Sequence, residues 1–261
     1  MGILSTMIIR PMHSNWRAVT KRAAIASLLG ACLSLIAAAT PSMAAPVVIL
    51  MSTSSELKPG DVRDSGDTVS LSAGQTVMLN DASGQTRNLT GPYNGPLGGS
   101  GGSTADASIV ASLSRLVAKR QENQDKVGAV RGNAGSANDP NLISVAQFGA
   151  QCLEGDAPLV LWRPKPQPAP MRMMIIDIES DQSAIMTWQP ADRSLPWPAA
   201  TLGQDGGRYW IYWPDHEATQ KAIEIQLHMS KAIANPAARA SWMEQTGCER
   251  QALIVVEKML Q

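Results

Sequence analysis

Polar and apolar residues alternate with a period of two in Thr68-Val69-Ser70-Leu71 and again in Thr76-Val77-Met78-Leu79. That spacing predicts strands with one buried face. Arg87-Asn88-Leu89-Thr90 adds a third short strand, and Gly66-Asp67, Ala73-Gly74, Ser83-Gly84 and Gly91-Pro92 punctuate the segment as turns. Residues 45–93 therefore read as a small antiparallel meander. The pattern changes at Asn94. Residues 94–141 read as a flexible linker, Gly- and Ser-rich at its start and Gly- and Asn-rich at its end. Within it, Ile109, Val110, Leu113, Leu116 and Val117 recur at helical spacing, predicting one amphipathic helix over Ala105–Gln121. Arg115, Lys119 and Arg120 lie off that face, and Ser103 or Thr104 can cap it.

From Leu142 onward strand signals return at Leu142–Val145, Leu159–Trp162, Met173–Ile178, Ala184–Trp188, Tyr209–Trp213 and Ala222–Met229, separated by proline-rich breaks. Six short strands at this spacing predict an antiparallel, β-sandwich-like arrangement or a strongly curved sheet. Asn235 followed by Pro236 marks a helix start. Gly247 interrupts that helix, and a second runs to about Leu260. The fold class is thus α+β, mainly antiparallel β: a small β meander, a helical linker, and an α+β domain over residues 142–261.

The N-terminal segment is of another kind. Arg10, Arg17, Lys21 and Arg22 precede an apolar run from Ala23 to Ala39, and Pro41-Ser42-Met43-Ala44-Ala45 closes it with small residues. This is the pattern of a secretory signal peptide over residues 1–44, with Ser42 and Ala44 at the −3 and −1 positions of cleavage. The expected location is the periplasm. A second reading takes Leu29-Gly30-Ala31-Cys32 as a lipobox, which would anchor the protein to a membrane through a lipidated Cys32. Cleavage removes four basic residues and no acid, leaving a net charge of about −4. A weakly acidic surface argues against nucleic acid as a partner.

Cys152 and Cys248 remain after processing. In an oxidising compartment two cysteines predict a disulfide, which would staple the helical tail to the start of the 142–261 domain. Neither cysteine has a Cys or His neighbour at ligand spacing, so no metal site is expected.

The Pro59-Gly60 turn, the strands Val69–Leu71 and Val77–Leu79, and the Asp81-Ala82-Ser83-Gly84-Gln85 turn before Leu89 resemble the small β module of FecR-like periplasmic proteins. The resemblance covers about residues 56–93. It implies short strands repeated about Gly turns, and a place in envelope signalling or scaffolding.

Several motifs carry the letters of a chemistry without its context. Gly98-Gly99-Ser100-Gly101-Gly102 spells a nucleophile elbow, yet Ser100 lies in a glycine tract rather than between a strand and a helix. Asp64-Ser65-Gly66 spells an aspartic-protease triplet, flanked by the charges of Arg63 and Asp67 as on a surface turn. His216-Glu217 begins a zinc motif that Gln220 breaks. His228 falls on the polar face of a strand, and Asp177 and Glu179 share a strand face. No catalytic residue, metal ligand set or cofactor is expected.

The least generic feature is aromatic. Trp188, Trp197, Trp210 and Trp213 cluster with Tyr209 and Tyr212. With one Phe in the chain, tryptophan must fill much of the core. Ile211 is the only aliphatic residue of Tyr209–Trp213, so the face with Tyr209, Ile211 and Trp213 is assigned inward and Trp210 and Tyr212 outward. Trp210, Tyr212, Trp188 and Trp197 are the candidate binding residues, since an aromatic shelf suits a sugar ring or a peptide. The expected function is non-enzymatic: binding or scaffolding an envelope protein or glycan. The alternative is a periplasmic hydrolase of envelope polymer using acids such as Asp177 or Asp205.

Overall fold

The computed structural model describes residues 44–98, 106–127, 138–155, 157–198, 203–215 and 222–261. Residues 1–43 of the expected signal peptide, Cys32 among them, together with Ser100, the Ser103 and Thr104 caps and His216, lie outside them.

The N-terminal strands are β1 (Pro46–Ser52), β2 (Val62–Asp64), β3 (Thr68–Leu71), β4 (Thr76–Asp81), β5 (Thr86–Thr90) and β6 (Tyr93–Pro96). Four make an antiparallel sheet in the order β2-β1-β4-β5, and β3 pairs with β6. The central strand β1 escapes the period-two reading. Its Val47-Val48-Ile49-Leu50 run is buried on both faces, as a continuous β-branched run in the middle of a covered sheet should be. Val47 and Ile49 enter a core with Val69, Leu71, Val77 and Leu79. Val48 and Leu50 enter a different core, built from helices.

Helix α1 (Ala107–Val127) is the chief partner of that second core. Asp106 starts it, its Oδ1 accepting the Ser108 N–H at 2.9 Å. The five apolar residues expected on one face are all buried. The three basic residues expected off that face are ion-paired rather than simply solvated. Arg115 grips Glu244 through two nitrogens at 2.6 and 2.8 Å. Arg120 pairs with Glu257 at 2.7 Å and Lys119 with Glu249 at 3.5 Å.

The C-terminal part comprises β7 (Leu142–Ser144), β8 (Gly149–Glu154), β9 (Val160–Trp162), β10 (Met171–Asp177), β11 (Ser183–Trp188), β12 (Ser194–Pro196), β13 (Arg208–Tyr212) and β14 (Ile223–Ser230), then α2 (Pro236–Gln245) and α3 (Glu249–Met259). A five-stranded sheet runs β11-β10-β13-β14-β8, and a three-stranded sheet runs β12-β9-β7. Pairing is antiparallel except for β14–β8 and β7–β9, which are parallel. The two sheets enclose a third core containing Leu161, Met173, Ile175, Trp188, Tyr209 and Ile211.

Asn235 caps α2, accepting the Ala238 N–H at 3.0 Å, with Pro236 at the first helical position. The Asn235 amide also donates to the Gly84 carbonyl at 3.2 Å, tying α2 to the β4–β5 turn. Helix α2 ends in a Schellman motif: Gly247 adopts φ +90°, its N–H reaches the Glu244 carbonyl, and the Cys248 N–H reaches the Met243 carbonyl. This sharp stop delivers Cys248 to Cys152 of β8. The two form a disulfide, with Cα atoms 5.8 Å apart.

Residues Met43–Gln261 make one unit. The helix read as part of a flexible linker is a core element, and through it residues 45–93 share a core with Cys152, α2 and α3. The fold is α+β and mostly β.

Candidate binding face

Strand β13 and Trp213, which follows it, alternate as the sequence predicts. Tyr209, Ile211 and Trp213 point into the core, while Trp210 is 44% exposed and Tyr212 half-buried. Tyr209 is held from behind: its hydroxyl accepts the Gly203 and Gln204 N–H groups at 3.1 and 3.3 Å, and Trp197 meets its ring edge-on with centroids 5.1 Å apart. These contacts fix β13 and so fix where Trp210 projects.

The register of the sheet sets Trp210's neighbours. Ile176 of β10 lies directly opposite it, with Ser183 of β11 beyond. In the next row Tyr212, Met174 and Ile185 stand side by side. Ile185 is 63% exposed, and Met174 and Ile176 are half-buried. Five aromatic or aliphatic side chains therefore share one face of three adjacent strands. Ion pairs border them. Arg172 holds Asp215 through Nε at 3.0 Å and through a second contact from Nη2, and this partner raises the pKa of its guanidinium. On the other side Arg208 pairs with Glu224 at 3.8 Å, and Glu224 lies opposite Trp210. An apolar centre with a charged rim is the anatomy of a protein-binding surface.

Two of the four candidate aromatics are not on this face. Trp188 is fully buried and Trp197 is 5% exposed, so neither offers surface to a ligand. Trp188 is a core residue because it shares the inward face of β11 with Ala184 and Met186. It also carries a buried cation: the Arg163 guanidinium lies 4.7 Å from its ring centroid. Arg163 is anchored by the Asp192 and Gln189 carbonyls at 2.7 and 2.9 Å. Burial lowers its pKa, against the attraction of Asp192. Sequence reasoning missed Ile185, Met174 and Ile176 as members of the exposed face. The signal was present in β11, where Ala184, Met186 and Trp188 claim one face and leave Ile185 on the other.

The acids proposed for hydrolysis are occupied structurally. Asp177 is buried, and its Oδ1 accepts the Glu179 and Ser180 N–H groups at 2.9 and 3.2 Å. Burial pushes its pKa up, but those backbone donors prevail and hold it below the ordinary range. Glu179 sits in the following turn, exposed, and does not share a face with Asp177. The Asp205 carboxylate accepts the Met229 N–H at 2.7 Å. Asp64 is exposed in a turn closed by the Asp67 N–H on its carbonyl. His228 is half-buried on β14, level with Cys152. Among the described residues no His, Cys, Asp and Glu side chains gather as a metal site, and no helix is long and apolar enough to cross a membrane.

No protein-family model, curated protein or solved structure matches the chain.

Proposed function

We propose that this is an exported, non-enzymatic binding protein of the bacterial envelope, and that its partner is a protein docking on the outer face of β11, β10 and β13. One observation carries the reading: Trp210 and Ile185, both large and both well exposed, flank Met174, Ile176 and Tyr212 on one sheet face. Exposed apolar patches of this kind mark interaction sites, and Trp is the most frequent interface anchor. A protein suits the face better than a glycan, because on the β10 and β11 side of the Trp the face continues through Ile176, Met174 and Ile185, which offer no hydrogen bond to a sugar. The basic and apolar N-terminal segment supports export, and the FecR-like grammar of residues 56–93 supports an envelope role.

The test is site-specific photo-crosslinking in living cells. A photoreactive residue at Trp210 should give an adduct with a second protein. The same residue at Met51, exposed on β1 of the N-terminal sheet, should give none. An absent adduct at Trp210, or an equal one at Met51, overturns the assignment of this face.

A further inference from the structure

The five-stranded sheet has two edges, and they are treated differently. At one edge, β8 is closed. Gln251 of α3 accepts the Cys152 N–H at 2.7 Å and returns a hydrogen bond to the Cys152 carbonyl at 2.6 Å, so its amide stands where a further strand would lie. At the other edge, β11 has β10 on one side and, among the described residues, no strand on the other. Its sequence, Ser183-Ala184-Ile185-Met186-Thr187-Trp188, contains no charge and no proline. These are the residues by which proteins normally block an open edge.

The direction of the free backbone groups follows from the register. The Asp177 N–H donates to the Gln182 carbonyl, so Gln182 belongs to a hydrogen-bonded pair of the β10–β11 ladder. Such pairs alternate along an antiparallel ladder. Ala184, Met186 and Trp188 therefore bond to β10, and Ser183, Ile185 and Thr187 turn their N–H and C=O groups to the open edge. No hydrogen bond to those groups is found among the described residues.

We propose that β11 pairs with β11 of a second copy of this chain, antiparallel and about a twofold axis at Ile185. In that register Ile185 meets its own copy, Ser183 meets Thr187, and Ala184 meets Met186. The outward face then matches hydroxyl with hydroxyl and isoleucine with isoleucine, and the inward face matches a small side chain with a large one. The residues that face their counterparts as hydrogen-bonded pairs are the ones whose backbone groups are free. The nearest charged residue, Asp181, falls level with Gln189 of the second copy, so no like charges meet. The row Tyr212–Met174–Ile185 runs on into its counterpart. A strand of another protein would satisfy the backbone but not this side-chain self-complementarity. The dimer goes beyond the partner reading above and does not depend on it.

Sedimentation of the purified full chain, in a Cys32→Ser background, tests the proposal. The dimer fraction should rise with concentration, and Ile185→Lys should weaken association more than about tenfold by setting like charges face to face. Ile185 is largely exposed, so the tryptophan-monitored melt should stay in place. Cysteine substitution reads the register without relying on that variant. Hydrogen-bonded partners stand about 5.5 Å apart between Cα atoms, so Ile185→Cys should cross-link to its own copy through a short bifunctional thiol reagent. Thr187→Cys, offset from its counterpart, should not. A protein that stays monomeric at all concentrations overturns the proposal, whether or not the edge takes up a foreign strand. Equal cross-linking by the two cysteine variants overturns the register.

Discussion

Trp210 of β13 and Trp213, one residue past its end, have opposite surroundings. Trp213 is packed among core side chains, and Trp210 stands on the sheet's outer face. Truncating Trp213 leaves a cavity and should cost about 3–5 kcal/mol, whereas Trp210→Ala should cost under about 1 kcal/mol. Thermal melts of the two variants decide it, and a larger loss for Trp210→Ala would reverse the faces. This much was legible because Ile211 marks the inward face and strand alternation does the rest. Trp188 follows the same alternation, on the inward face of β11 with Ala184 and Met186, and the Arg163 guanidinium covers its ring. Trp197 was not legible in this way: it stands between Pro196 and Pro198, outside any strand, and the Tyr209 ring packs against it from elsewhere in the chain.

Helices and strands show the same division between local and distant causes. α1, α2 and α3 announce themselves through periodicity, Asn235-Pro236 and Gly247. β1 does not, because a strand buried on both faces has no polar alternation to reveal it. β8 hides for the opposite reason: Gln151 is polar yet buried, with its amide bonded to the Ser144 N–H and the Gln147 carbonyl. Element packing makes two predictions. The first concerns Glu244 of α2. The hydrogen bonds from Arg115 hold its carboxyl below the ordinary glutamate range; burial opposes them, and Ser112 adds to them. Its folded pKa thus lies below the unfolded value of about 4.3. The pairing stabilises fully above that pH and fades as pH falls through the folded value. Arg115 is more than half exposed and water screens the pair, so Glu244→Gln should cost about 1 kcal/mol at neutral pH, and its melting point should converge on the parent's in acid. A gap that stays constant with pH would deny the carboxylate this role. The second prediction concerns the disulfide. It closes a loop with a sequence separation of 96, so replacing both cysteines with serine should lower stability by about 4–5 kcal/mol in the chain-entropy account. The unreduced, denatured parent should show neither Cys152 nor Cys248 labelled by a thiol reagent.

At the scale of the whole molecule, β1 is where separate cores become one structure. Alternate residues of a single strand supply both: Val47 and Ile49 the small β core, Val48 and Leu50 the helical one. Cys152 of the five-stranded sheet belongs to the helical core too, so that core joins the N-terminal strands, the three helices and β8. Folding of residues 44–98 should then be coupled to folding of the C-terminal sheet. No tryptophan occurs in residues 44–98, so tryptophan fluorescence reports only on the remainder. Leu50 is almost fully buried, and Leu50→Ala should cost about 2–5 kcal/mol. If the cores unfold as one cooperative unit, that loss appears in full as a lower denaturation midpoint in the tryptophan signal, far along the chain from the substitution. Hydrogen exchange in β4 and β13 should then accelerate by the same factor. A tryptophan transition that stays in place while β4 exchange quickens would mean that residues 45–93 melt as an independent module.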